Sequence, residues 1–218
     1  MNVHPGEKIL AVETCLGACS AALLQGDKIL AHRWQAMERG HAEALAPMVE
    51  ELLRGTGINT LDRLAVTVGP GTFTGQRVGL SFMRGLRLAL NKPLTGITSL
   101  QAMAAAAMAE TGLPRAAAIH DARRDEAYLA LAENGVMTLP PRVLPFAAAV
   151  EAIRTFGACV LAGTGAPAAR EMLGEAHILS SIRQPDALFV ARLALAEALP
   201  APGAPPPAPL YLRAPDAK

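Results

Sequence analysis

Residues 8–34 read KILAVETCLGACSAALLQGDKILAHRW. Lys8 to Glu13 is a short apolar run, expected as a buried strand. After a brief turn, Ala18 to Leu24 is a second. Gln25-Gly26-Asp27 is a hairpin signal, and Lys28 to Trp34 returns as a third strand. Three consecutive antiparallel strands therefore open the chain. Working outward, residues 41–54 place Leu45, Met48, Val49, Leu52 and Leu53 at helical spacing. Pro47 falls inside that pattern and is expected to kink the helix or mark a late first turn, and Gly55 and Gly57 end it.

Leu64 to Val68 (LAVTV) is short, apolar and β-branched, the signature of a buried parallel strand. It runs into Gly69-Pro70-Gly71-Thr72-Phe73-Thr74-Gly75, and a helix is expected from Gln76 to Leu90, closed by Pro93. Leu94 to Thr98 is a further strand and Leu100 to Ala109 a further helix. The order β-β-β-α-β-α-β-α is that of an α/β domain of the ribonuclease-H-like type. A faint repeat follows. Residues 115–135 run strand, Asp121, turn, strand and Asn134-Gly135, as residues 8–26 run strand, Glu13, turn, strand and a glycine turn. The two acids lie 108 positions apart, about half the chain of 218. Two related halves or two unrelated hairpins both satisfy that spacing. Beyond it, helices are expected over 146–156, 168–173 and 186–199, with a strand over 159–162. Prolines then crowd residues 200–215, a polyproline-like or disordered tail that Tyr211 and Leu212 could anchor.

Composition narrows the function. Hydrophobic residues are 51% and aromatics 4%, with alanine the commonest residue. Enough larger apolar residues remain for a core without disulfide or metal staples. The net charge of +1, from 20 basic and 19 acidic residues, argues against a surface that clamps nucleic acid throughout. No apolar run reaches the ~18 residues of a membrane helix, and the N-terminus has no signal-peptide core. Cys15, Cys19 and Cys159 read as reduced thiols of a cytoplasmic protein.

Four places could carry chemistry. Glu13, at a strand end with Thr14 in the turn, could hold a water on Mg²⁺ or cap loop amides; the following Cys15-Leu16-Gly17 is bulky for a phosphate turn. The loop with Gly69, Gly71 and Gly75 enters a helix and could take an anion on its amides. It is not a Walker loop, and Gly75 and Gly79, four apart, suit close packing against another helix. Along the following helix, Val78, Phe82 and Leu86 share one face that Met83 widens, while Arg77, Arg84 and Arg87 form a stripe beside it. Such a face packs on a partner, and the stripe meets phosphates, partner carboxylates or solvent. In Asp121 to Tyr128 (DARRDEAY), a strand-end acid precedes four charges, which suits a metal, a phosphate or a local ion-pair network. The five histidines fall at no metal-binding helical spacing, and no G-x-S-x-G is present.

ILAVETCLGACSAALL, GPGTFTGQRVGLSFMRGL, DARRDEAYLA and PLYLR stand in the order found in the TsaB (YeaZ) family, which this chain resembles from about residue 8 to 213. The resemblance implies an actin-like (ASKHA) fold of two related subdomains, each a mixed sheet flanked by helices, at residues 7–110 and 111–200 with a tail at 201–218. It implies a non-catalytic subunit serving threonylcarbamoyl transfer to N6 of adenosine 37 in tRNAs reading ANN codons. The partners it implies are a TsaD-type catalytic subunit, a TsaE-type ATPase, a second copy of itself and, indirectly, tRNA. The shared interface would be the first two helices, through Leu45, Met48, Val49, Leu52, Val78, Phe82, Met83 and Leu86. No cofactor of its own is expected, with ATP, Mg²⁺ and a metal belonging to the partners. TsaD-type proteins carry a His-x-x-x-His metal pair where residues 98–104 here read TSLQAMA, without histidine. The competing expectation is a stand-alone ATP-binding enzyme using Glu13, Asp121 and the glycine loop.

Overall fold

A computed structural model of the chain describes residues 6–201 and 203–213. In chain order the elements are β1 (Lys8–Glu13), β2 (Ala18–Gln25), β3 (Lys28–Ala36), α1 (His41–Leu53), β4 (Arg63–Gly69), α2 (Phe73–Leu90), β5 (Leu94–Thr98) and α3 (Ser99–Thr111). The second series is β6 (Arg115–Arg123), β7 (Glu126–Glu133), β8 (Val136–Pro145), α4 (Phe146–Phe156), β9 (Val160–Ala162), α5 (Ala166–Leu173), β10 (Ile178–Leu179) and α6 (Ala187–Ala196).

The repeat is real at the level of topology. One sheet has the order β3-β2-β1-β4-β5 and the other β8-β7-β6-β9-β10. In each, the first three strands run antiparallel, and the first strand pairs in parallel with the fourth, which pairs in parallel with the fifth. The expected actin-like architecture is therefore present in both halves. The third strand of the second half, β8, escapes the sequence reading because Pro140, Pro141 and Pro145 interrupt it; such prolines are accommodated on an edge strand. Strand β10 has only two residues and gives too short a signal to read.

Two compact units result, and their boundaries differ from the expected ones. The first comprises the residues up to Ser99 together with Asp186–Leu210; the second comprises Leu100–Pro185 and the residues from Tyr211. The expected division at 110/111 and 200/201 fails because the helices that close each half are exchanged. From Leu100 onward α3 belongs with the second unit, and α6 returns to the first.

In the first unit, alternation along the strands assigns two faces. Leu10, Val12, Ala21, Leu23, Leu64, Val66 and Leu94 meet α1 and α2. The other face meets α6, which lies against β1, β2, β4 and β5. Across its middle runs the register row Ala22, Ala11, Ala65 and Thr95, small residues that let an alanine-rich helix approach. Both ends of α6 are fixed. Asp186 caps its N-terminus through the Leu188 amide and meets His32 Nε2 at 2.8 Å, while the Ala187 amide donates to Ser20 Oγ. At the other end Arg63, 1% exposed, donates to the Glu197 and Ala198 carbonyls and to Thr95 Oγ1. A guanidinium there satisfies carbonyls that the helix cannot and complements its dipole.

Helix α1 passes through Pro47 without a break. Helix α2 begins three residues before the expected Gln76, because Thr72 caps it through the Gly75 amide. In the second unit, Ile119, Leu129, Leu131, Val150, Ile153 and Leu161 form the core with α4 and α5. The tail, expected to be polyproline-like or disordered, lies along the first unit from Ala204 to Leu210. Residue 202 and residues 214–218 of the expected tail lie outside the described residues. No described helix is long and apolar enough to cross a membrane.

Candidate functional site

Glu13, Thr14, Gly69, Gly71 and Gly75 converge in the first unit, where the β1–β2 turn meets the loop between β4 and α2. They meet too closely to leave a cradle. A Cβ on Gly71 would stand 2.2 Å from the Cys15 carbonyl oxygen, and one on Gly75 would stand 2.1 Å from that of Thr14. The Cys15 carbonyl accepts from the Thr72 amide at 2.7 Å. Thr14 Oγ1 donates to the Gly75 carbonyl at 2.7 Å and accepts from the Gly79 amide at 3.1 Å. That carbonyl and amide lie one turn apart in α2, so the hydroxyl is inserted into the helix's own ladder. The Gly75/Gly79 pair thus receives Thr14, correcting the expectation of a second helix there. Gly69 is filled in turn by Gln76, whose Nε2 donates to the Gly71 carbonyl at 3.0 Å.

Glu13 is fully buried. Its Oε1 accepts from the Cys15 amide at 2.6 Å and from Thr67 Oγ1 at 3.3 Å. Its Oε2 is buried without a hydrogen-bond partner. Burial, reinforced by the charge of Asp186, pushes the carboxyl up to about 8 against those two hydrogen bonds. At about 8 the Glu13 carboxyl is mostly protonated at pH 7; burial, ahead of the nearby carboxyl, also raises the thiol of Cys15, whose Sγ lies 3.2 Å from Thr67 Oγ1. Around this buried acid the amides of Cys15, Thr72, Gly75 and Gly79 are bonded internally, which does not fit a nucleotide phosphate. The second unit repeats the closed turn: a Cβ on Gly163 would stand 2.1 Å from the Ile119 carbonyl oxygen, which accepts from the Gly165 amide.

Asp121 stands in the second unit, where its Oδ1 accepts from the Arg123 amide at 2.7 Å and its amide donates to Thr164 Oγ1. Arg123, Arg124 and Asp125 all take left-handed backbone conformations. Within the same motif Glu126 pairs with Arg213 of PLYLR, which also donates to the Ala122 carbonyl. The charges of DARRDEAY therefore cap a strained turn and hold the tail. Sequence reasoning placed these residues but not that contact.

The interface expectation divides. Leu45, Met48, Val49, Leu52 and Met83 are between 0% and 9% exposed and belong to the core, correcting their assignment to a docking surface. Val78, Phe82 and Leu86 are partly buried against that core. Phe82 and Leu86 line an open groove of about 440 Å³ between α1 and α2, with Ala46, Leu53 and Ile58 on the α1 side. The arginine stripe is also reassigned. Arg77 lies 3.4 Å over the ring of Phe73, and Arg84 and Arg87 donate to carbonyls of the tail. Among the described residues, no three His, Cys, Asp or Glu side chains converge as metal ligands.

The family model for TsaD, tRNA N6-adenosine threonylcarbamoyltransferase, matches residues 29–190. The tRNA threonylcarbamoyladenosine biosynthesis protein TsaB of Escherichia coli is 37% identical over 134 residues, 59% of this chain and 58% of that one. The chain spans between half and three fifths of the length of the curated relatives it matches first. YeaZ from Pseudomonas aeruginosa superposes with a TM-score of 0.74 at 32% identity, covering 86% of this chain and 90% of YeaZ. A Pseudomonas aeruginosa protein described as similar to peptidase YeaZ superposes with a TM-score of 0.80 at 31% identity, over 95% and 100% of the two chains. At 14% identity and a TM-score of 0.52, the ethanolamine utilization protein EutJ shares the fold alone. With the repeated sheets, the closed glycine loop and these similarities in hand, the chain belongs to the TsaD family, as a member of its TsaB/YeaZ type.

Proposed function

We propose that this chain is a non-catalytic subunit for the synthesis of threonylcarbamoyladenosine in tRNA, docking a TsaD-type catalytic subunit through the outer faces of α1 and α2. The relatives named TsaB support the pathway. The observation that carries the docking is the open groove of Phe82, Leu86, Leu53 and Ile58, apolar side chains left without a covering element beside a filled core. The filled glycine loop supports a non-catalytic role, since its amides offer no phosphate seat. A TsaE-type ATPase and tRNA then engage through the catalytic partner, and a second copy of the chain competes for the same groove. The codon class follows from the partner's substrate.

The test mixes the purified chain with its cognate catalytic subunit on a size-exclusion column. Phe82→Asp and Leu86→Asp are expected to abolish the complex, because a carboxylate in an apolar interface costs several kcal/mol. Normal assembly of both variants refutes the assignment. Leu52→Asp is not informative here, since Leu52 is 3% exposed and supports the core. The alternative of a stand-alone ATP-binding enzyme predicts Mg-ATP binding that Glu13→Ala removes; calorimetry is expected to show no binding to either protein.

A further inference from the structure

Arg84 and Arg87 lie three residues apart on α2, and the two carbonyls they hold, Pro207 and Ala204, also lie three apart. Arg84 gives both Nε, at 3.1 Å, and Nη2, at 2.5 Å, to the Pro207 oxygen; Arg87 Nη2 reaches the Ala204 oxygen at 2.9 Å. Three consecutive prolines, 205–207, fix φ near about −65° and push each preceding residue toward extended ψ. A run held in that conformation, with three residues per turn, turns the carbonyls of 204 and 207 to one side, and both accept from α2. Three residues advance about 9 Å along such a run but only about 4.5 Å along an α-helix, and the long arginine side chains span the difference. The strap runs antiparallel to α2.

Two further features fit this register. Gly96 of β5 faces Pro207, and a Cβ there would stand 2.8 Å from the proline's Cβ. Beyond the prolines, the Leu210 amide donates to the Val68 carbonyl at 2.7 Å. Upstream the fit is loose: residues 199–201 and 203–205 leave a cleft of about 400 Å³ against Arg87, Lys92 and Pro93. All these residues lie in the first unit.

We propose that Arg84, Arg87, Gly96 and Val68 form a recognition groove for a proline-rich extended segment, loaded in cis by residues 204–210, and that a proline-rich peptide supplied from outside takes the same seat when the tail lifts. The guanidiniums read two carbonyls one turn apart, and the missing Cβ of Gly96 selects a proline ring between them. Without side-chain charge in the strap, the seat reads backbone and proline shape. The tail holds the seat at an effective concentration in the millimolar range, so an outside peptide competes poorly until the tail's grip is weakened.

The test uses the full-length chain and a fluorescent peptide of residues 203–213, GAPPPAPLYLR. Anisotropy is expected to show at least tenfold tighter binding to a Pro207→Gly chain than to wild type. Adding Arg84→Met and Arg87→Met is expected to remove that binding, and a peptide with its three consecutive prolines replaced by glycine is expected not to bind. Equal affinity for the wild-type and Pro207→Gly chains, or binding that survives loss of both arginines, overturns the proposal. Hydrogen exchange supplies an independent reading. In a chain carrying only Arg84→Met and Arg87→Met, the Leu210 amide is expected to exchange at least tenfold faster while the α2 amides keep wild-type rates. Unchanged Leu210 exchange overturns the register. Arg84→Lys, which keeps the charge but not the two-donor fork, is expected to fall between the two.

Discussion

Replacing Glu13 by Gln should remove a pH dependence of stability whose sign and size follow from its burial. The unfolded carboxyl titrates near 4.5 and the folded one near 8. Between those values the folded chain holds a proton that the unfolded chain has released, so folding takes up a proton and stability falls as pH rises. The full interval of about 3.5 units corresponds to roughly 5 kcal/mol, at about 1.4 kcal/mol per unit. From pH 5.5 to 7.5 the fall is roughly 3 kcal/mol. Glutamine matches the shape of the neutral acid, and its Oε1 can accept from the Cys15 amide and the Thr67 hydroxyl, but it does not titrate. Other groups, His120 among them, titrate in both proteins and cancel in the difference. Urea unfolding of both proteins at half-unit intervals of pH measures it. The Gln variant is expected to gain on wild type by roughly 3 kcal/mol across pH 5.5–7.5. Parallel curves, with a constant difference across the interval, would refute the claim that a buried neutral acid sits at the end of β1.

Three further outcomes are expected. Gly75→Ala places a Cβ against the Thr14 carbonyl and should cost at least about 3 kcal/mol, whereas Gly85→Ala, in the same helix with open space around it, should stabilise by about 0.5–1 kcal/mol; thermal melts of the pair compare them. Arg63→Met strips the Glu197 and Ala198 carbonyls of their donor and should cost about 2–4 kcal/mol, with new protease cleavage between residues 186 and 210. His120, held down to about 4 by burial, stays neutral when folded, so stability should fall as pH drops from 6.5 toward 4, by up to roughly 3 kcal/mol; His120→Leu should flatten that limb of the urea profile.

The opening hairpin, the strand before the glycine loop and α4 were legible because each carries an uninterrupted period and a clear stop. The repeat was legible as two acids and two glycine turns, and the matching strand orders complete it. The glycines were read as close packing or phosphate binding, since either demands a missing Cβ. Only the position of Thr14, 61 residues away from Gly75, decides between them. The roles of Arg63, Arg84 and Arg87 escaped for the same reason. An arginine in a strand or on a helix stripe looks solvent-facing until the carbonyls it serves, more than a hundred residues later, are brought beside it. Five of the eight proposed interface residues fell into the core because periodicity marks an apolar stripe without saying which part of it the sheet covers.

The exchange of α3 and α6 bears on the order in which the molecule can form during synthesis. The first sheet is complete in sequence at Thr98, yet the helix that covers one of its faces begins only at Ala187. Roughly ninety residues must be made in between, which at 5–20 residues per second takes about 5–20 seconds. Throughout that interval Ile9, Ala11, Leu24, Ala65 and Ile97 lack the helix that buries them, and Arg63 lacks its carbonyl partners. A nascent chain stalled near residue 150 should therefore bind a trigger-type chaperone and be cut readily within its first hundred residues, while one stalled late enough to expose residue 210 should resist.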